Sequence, residues 1–166
     1  NTYDWEFWIG PDETFRYCSP SCLPLTGHAA EEFLAHPNLL REIIHPDDLA
    51  AYDDHECRVA VTQSDGELEF RIVRPDGEVR WVGHTCIAIF DAAGQPLGRR
   101  GSCRDITPRR EAEAQRAAAH EALQDSEARY RLLIENQGEG VGVVDPDERF
   151  VLANPAADAI FGVPQG

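Results

Sequence analysis

The sequence predicts an α+β domain of antiparallel strands and short helices, followed by one long helix and the start of a second, similar unit. Three observations carry this. A strand–turn–strand–helix pattern occurs twice, at Phe7 to Gly27 and again at Gly142 to Gly162. Leu68, Phe70 and Ile72 alternate with Glu69 and Arg71, the period-two signature of a half-buried strand, just before the turn Pro75-Asp76-Gly77. Thr107-Pro108 then opens a run rich in Ala, Glu, Arg and Gln that reads as helix to about Asn136.

In chain order, the repeat comes first. Aligned without a gap, FWIGPDETFRYCSPSCLPLTG matches GVVDPDERFVLANPAADAIFG at Pro11, Asp12, Glu13, Phe15, Pro20 and Gly27 against Pro146, Asp147, Glu148, Phe150, Pro155 and Gly162. In each copy an apolar strand meets a Pro-Asp turn and a second strand follows. Ser-Pro or Asn-Pro then starts a short helix that Gly ends. The copies begin roughly 135 residues apart, a common domain spacing.

Glu31 to Leu34 suggest a short helix that Pro37 stops, and Leu39 to Ile44 are apolar enough to pack inward. His45-Pro46-Asp47-Asp48 reads as a helix start, with Pro in the first turn and acids at the positive end of the dipole, and the helix runs to about Val61. Three strands follow, with Val79 to Phe90 in the middle and Leu97 to Asp105 last. Large residues lie on both faces of the middle strand (Trp81, Ile87 and Ile89 against Val82 and Phe90). Both faces of the sheet are therefore expected to be covered, one by helices and the other by a neighbouring helix or a second subunit. Thr107 is expected to cap the last helix, with Pro108 at its first position.

Ala112, Arg116, Ala119, Leu123, Ser126, Tyr130 and Leu133 fall on alternating four and three spacing along that helix. The seam holds two polar members and two alanines, so a solvated single helix competes with parallel pairing. Pairing is the reading adopted, because so polar a helix has little reason to stand alone.

The chain has 166 residues, 42% apolar, with a net charge of −15, and all its cations other than His are Arg. That charge repels phosphate backbones and anionic lipid, so neither nucleic acid nor a membrane surface is an expected partner. No apolar run reaches the ~18 residues of a membrane span. The chain opens on Asn1 and contains no Met, which reads as a piece of a longer polypeptide. Cys18, Cys22, Cys57, Cys86 and Cys103 are an odd, scattered set, so reduced thiols and a cytoplasmic setting are expected, even if the parent is membrane-anchored.

The order of these segments, all within about 105 residues, resembles a PAS domain. Thr26-Gly27, Glu31-Glu32-Phe33 and His45-Pro46-Asp47-Asp48 look like its helical part. Glu69-Phe70-Arg71, Pro75-Asp76-Gly77, Arg80-Trp81-Val82 and Gly101 to Thr107 look like its C-terminal PAC portion. The resemblance implies a PAS fold, a five-stranded antiparallel sheet with helices on one face, over residues 3–107. A linker helix at 108–136 and the truncated start of a second PAS domain at 137–166 would follow. Cut at that point, the second segment is expected to be disordered or propped by another chain.

The resemblance also implies a sensory or relay role in a histidine kinase or diguanylate cyclase type of parent, with Asp105, Ile106 and Thr107 similar to the family's signal-transfer element. The candidate ligand pocket takes in His55, Phe70, Ile72, Trp81 and His84. Homodimerisation through the linker helix and a small-molecule ligand are the expected partnerships.

Catalytic residues are not expected in the fragment: no Gly-rich phosphate loop, nucleophile elbow or HExxH pattern appears. A light-sensing flavin domain of the family carries an Asn-Cys-Arg-Phe-Leu element where this chain reads His36-Pro37-Asn38-Leu39-Leu40, so photoadduct chemistry is not expected. Flavin without an adduct stays open, as does a haem held by His55, which has Cys57 and Arg58 beside it. Asp53, Asp54 and Glu56 around His55 favour instead a solvated helix face. His84 could line a pocket or face solvent. Trp5 and Trp8 are expected to pack against the sheet. Cys18 and Cys22 with His28 lack a fourth ligand, so no metal site is expected. A purely structural dimerisation module is the remaining alternative.

Overall fold

The computed structural model describes the backbone of residues 4–62, 66–147 and 150–161, and their side chains except at 57–62, 150 and 161. Cys57, Arg58 and the repeat positions Glu148, Phe150 and Gly162 therefore fall outside the described side chains. The chain divides into two compact units, Asn1–Ala112 and Glu113–Gly166.

The first unit is the expected five-stranded antiparallel sheet with helices on one face. Strands β1 (Trp5–Ile9) and β2 (Phe15–Cys18) come first, and helices α1 (Cys22–Thr26), α2 (Ala30–Ala35) and α3 (Leu39–Ile43) follow. A single 3₁₀ turn at Pro46–Asp48 leads into α4 (Leu49–Thr62). The unit continues with β3 (Gly66–Val73), β4 (Val79–Phe90) and β5 (Pro96–Asp105). The strand order is β2-β1-β5-β4-β3, so the first and last strands are neighbours at the centre.

The period-two pattern decides which side chains face the helices. Trp5, Phe7 and Ile9 from β1, Phe70 and Ile72 from β3, Val82 from β4 and Cys103 from β5 are buried against Phe33, Leu40, Ile43, Ile44 and Tyr52. Opposite Phe7 in the ladder stands Gly101, and the Phe7 ring lies where a Cβ at that position would sit. Gly27 ends α1 with φ 81°, a left-handed conformation that few residues other than Gly adopt without strain. Trp5 packs as expected, but Trp8, one residue out of phase with the buried set, is 36% exposed and donates its ring N–H to the Leu97 carbonyl at 3.0 Å.

Helix α5 (Thr107–Glu135) follows β5 and carries no fully buried residue. Among the described residues, no helix is long and apolar enough to cross a membrane.

The second unit contains the hairpin β6 (Gly142–Val144) and β7 (Phe150–Ala153), then α6 (Pro155–Phe161). The segment expected to be disordered or propped thus has regular structure in this single chain, although Val143, Val144, Val151, Leu152 and Ile160 are all exposed. Polar bonds explain how it holds. Buried Asn154 accepts the N–H groups of Val141 and Ala157 at Oδ1 (2.8 and 2.9 Å) and donates from Nδ2 to the carbonyls of Ile134 and Glu139 (3.0 and 2.9 Å).

Candidate functional site

Two sites emerge in the first unit: the junction between sheet and α5, and a buried polar cluster between α4 and β4. At the junction, β5 ends beside the start of β4. The Ile106 N–H donates to the Trp81 carbonyl at 2.9 Å, and the Trp81 N–H donates to the Thr107 hydroxyl at 2.8 Å. Asp105 accepts the Thr107 N–H at 2.9 Å and pairs with Arg80 at 2.9 Å. Thr107 therefore does not cap the helix as the sequence suggests. Its hydroxyl is taken by β4, and the Asp105 carboxylate serves the first orphan helix N–H instead.

Further contacts fix the first turn. Arg109 and Arg110 both pair with Glu69 on β3. The guanidinium of Arg110 lies 4.9 Å from the Trp81 ring centre and that of Arg71 lies 5.4 Å away. Ile106 is buried against Gly83, where an added Cβ would stand 3.2 Å from its methyl. The start of α5 is thus tied to β3 and β4 through backbone, hydroxyl, carboxylate and aromatic contacts.

The second site lies on the helix-covered face. His55 and His84 are both buried, with ring centres 5.3 Å apart. Phe70 lies 6.0 Å from the His84 ring, and Phe7 stacks on it at 5.9 Å. His84 Nδ1 is 3.4 Å from Cys103 Sγ. Burial, reinforced by His55, pushes the His84 pKa down to about 4, so the ring is neutral at neutral pH. Burial also raises the Cys103 thiol and the Glu56 carboxyl, the latter opposed by Arg99. Cys18 accepts the Trp5 ring N–H at 3.1 Å and Cys22 is fully enclosed, so this pair packs as core.

The structure brings His55, Phe70 and His84 together and buries Ile72 in the same core. It sets Trp81 apart from the other candidate pocket residues. Trp81 and His84 differ in parity on β4, and Trp81 points to the opposite face, with Arg71 and Arg110. The solvated position expected for His55 is also corrected. Asp53 and Asp54 are exposed, whereas Tyr52, His55 and Glu56, at helical spacing, form the inward stripe. That i, i+3, i+4 pattern was the available signal. Glu56, Cys86 and Cys103 were not singled out, although the alternation Val82, His84, Cys86 marks one face of β4.

A porphyrin on His55 does not fit this arrangement. The rings of His55, Phe70 and Phe7 each lie within about 6 Å of the His84 ring, so the side of His55 that faces β4 is already packed.

A family profile described as PAS fold matches residues 15–103. A second, described as PAS domain, matches residues 128–166. The chain belongs to the PAS family, and the class so defined is a sensory signalling module. The White collar 2 protein of Neurospora crassa is 30% identical over 106 residues, covering 62% of this chain and 20% of that protein. The chain thus spans about a fifth of this relative's length. Among solved structures, a sensory box histidine kinase/response regulator from Burkholderia thailandensis aligns with a TM-score of 0.57 at 24% identity, covering 74% of this chain and 91% of the other. The N-terminal domain of a diguanylate cyclase with PAS/PAC sensor from Marinobacter aquaeolei aligns with a TM-score of 0.58 at 18% identity, covering 65% and 99%. At these identities the likeness is one of fold.

Proposed function

We propose that this chain is a cytoplasmic sensory relay. On this reading the domain at 3–107 senses a small ligand or a neighbouring domain's movement. It passes the change through Asp105, Ile106 and Thr107 to the linker helix at 108–136, which leads into a second PAS domain beginning at 137–166. Catalysis belongs to another part of a parent of the histidine kinase or diguanylate cyclase type. The observation that carries the reading is the pair of hydrogen bonds between the Trp81 backbone and Ile106 and Thr107 at the start of α5. A shift of β4 must move the helix start or break those bonds, so two arrangements of the sheet become two settings of the helix.

Dimerisation through the linker helix belongs to the same proposal. Leu123, Tyr130, Leu132 and Leu133 are each more than half exposed in the single chain, which favours a partner helix over solvent.

The test is a fusion of the 166-residue chain to a histidine-kinase catalytic core. Thr107→Val removes the acceptor of the Trp81 N–H without changing side-chain volume much. The proposal expects a severalfold change in autophosphorylation rate with the fold intact. An unchanged rate, with loss of the bond verified by amide exchange at Trp81, would sink it.

A further inference from the structure

We propose that the first unit binds one divalent transition-metal ion of the zinc class between α4 and β4, held by His55, Glu56, His84 and Cys86. One donor atom from each of these residues lies within 4.8 Å of all the others. Two imidazoles, a carboxylate and a thiolate form a donor set suited to Zn(II) or Co(II), and unsuited to Ca(II) or Mg(II). In a tetrahedral site with metal–ligand bonds of about 2.0–2.3 Å, the donors stand about 3.3–3.8 Å apart. The four residues therefore need to close by about 1 Å on loading, a distance within reach of side-chain rotation.

The surroundings are those of a metal site. His84 Nε2 is enclosed and has no hydrogen-bond partner among the described residues, while its Nδ1 stands 3.4 Å from Cys103 Sγ. An outer-shell contact on one imidazole nitrogen is the usual means of aiming the other at an ion. Glu56 pairs with Arg99, but Arg99 is also held by both oxygens of Glu13, at 2.9 and 2.6 Å. The guanidinium therefore keeps a bidentate partner when Glu56 turns to the ion.

Charge also balances. The Cys86 thiolate and the Glu56 carboxylate offset the two positive charges, and the thiol proton leaves to solvent on binding. Glu56, with Tyr52 and Arg99, lines a surface cleft of about 190 Å³, so one member of the donor set is reached from outside. Local spacing puts His55 beside Glu56 on one helix and His84 with Cys86 on one strand face, but only the fold brings the two pairs together. The inference is independent of the relay proposed above.

The test is a Co(II) titration of the full 166-residue chain without an affinity tag, reduced and stripped with a chelator, followed by absorption. The expected result is one equivalent bound per chain, with visible bands of tetrahedral intensity and a near-ultraviolet thiolate-to-cobalt band, all displaced by Zn(II). Cys86→Ser should abolish the thiolate band, and His84→Gln and Glu56→Gln should each weaken binding by about tenfold or more. Absence of a saturable wild-type signal would overturn the proposal. So would a thiolate band that survives Cys86→Ser. Far-ultraviolet circular dichroism accompanies each variant, and the wild-type titration decides the matter if a variant fails to fold. The kinase-fusion rate plays no part in this readout, so the two proposals fail separately.

Discussion

The backbone N–H of Trp81 donates to the hydroxyl of Thr107 at 2.8 Å, joining the start of β4 to the first residue of α5. Thr107→Val should leave that half-buried donor unmatched and cost about 1 kcal/mol, the low end for an orphaned group. Thr107→Ser should cost a few tenths at most. Urea unfolding gives the difference, and faster exchange of the Trp81 amide in the valine variant alone assigns it to this bond.

Asp105 does two jobs with two oxygens, accepting the Thr107 N–H and pairing with Arg80. Asparagine retains the first and loses the second. Asp105→Ala should therefore cost about 1 kcal/mol, as loss of a helix cap does, and Asp105→Asn clearly less. The Asn deficit should also shrink at high salt, since it is an ion-pair loss screened by counterions. Equal costs for the two variants would contradict this division.

The exposed apolar residues of α5 lead to a prediction about assembly. Leu123→Asp combined with Leu133→Asp puts like charges on the expected seam. Sedimentation should show a wild-type dimer and a monomeric double variant of unchanged first-unit stability. A wild-type chain that is monomeric at high concentration would remove the paired-helix reading.

Acid stability should report on Asp48, which accepts the backbone N–H of Arg71 at 2.8 Å and two guanidinium nitrogens at 2.9 and 2.7 Å. The Arg71 side chain holds the Asp48 carboxyl below its ordinary value. The native state thus binds this proton less readily than the unfolded chain. The stabilisation is present above about pH 3.9 and is lost as pH falls through the lower native value. Asp48→Asn should lower the melting temperature at neutral pH and flatten the acid limb below about pH 4. The flattening is partial, because Asp4 and Asp53 are lowered the same way by Arg104 and Arg41.

In the second unit, Asn154→Ala removes two accepted and two donated hydrogen bonds at a buried position. At about 1 kcal/mol each, the loss should unfold the hairpin and α6 locally. Amide-exchange protection should vanish across the described part of 141–161, while the first unit keeps its protection. Retained protection at Val141 and Ala157 would show that the apolar contacts suffice.

Much of the fold was legible because local chemistry and tertiary structure agree. Phe70 and Ile72 alternate with polar residues and are buried, Pro75 to Gly77 turns the chain, and Gly27 stops a helix. The repeat was legible in the same way, and it extends to geometry. Ser19 and Asn154 are aligned positions. Each accepts a backbone N–H at its side chain, from Glu6 and Val141, and each returns its own N–H to the carbonyl of that same residue.

The candidate site was less legible. Asp53 and Asp54 made the helix around His55 look solvated, although they occupy its outer side. Trp81 looked like a pocket residue because β4 is apolar on both faces, and alternation alone does not say which face meets the helices. Glu56 and Cys86 gain significance only from what the fold brings beside them.

The central position of β1 next to β5 also governs how the domain comes into being. Asp4 and Arg104 are bonded across 100 positions of chain, so this ladder closes a loop as long as the domain itself. Such a closure is entropically costly and slow compared with the β3–β4 hairpin. On a ribosome, the first strand must wait for the last before the sheet can be completed. The seat of α5 on β3 and β4 belongs to the local, early part of the sheet. The helix can thus find its mooring at Trp81 before β1 closes the sheet, and the β1–β5 ladder alone records that both ends of the domain have met.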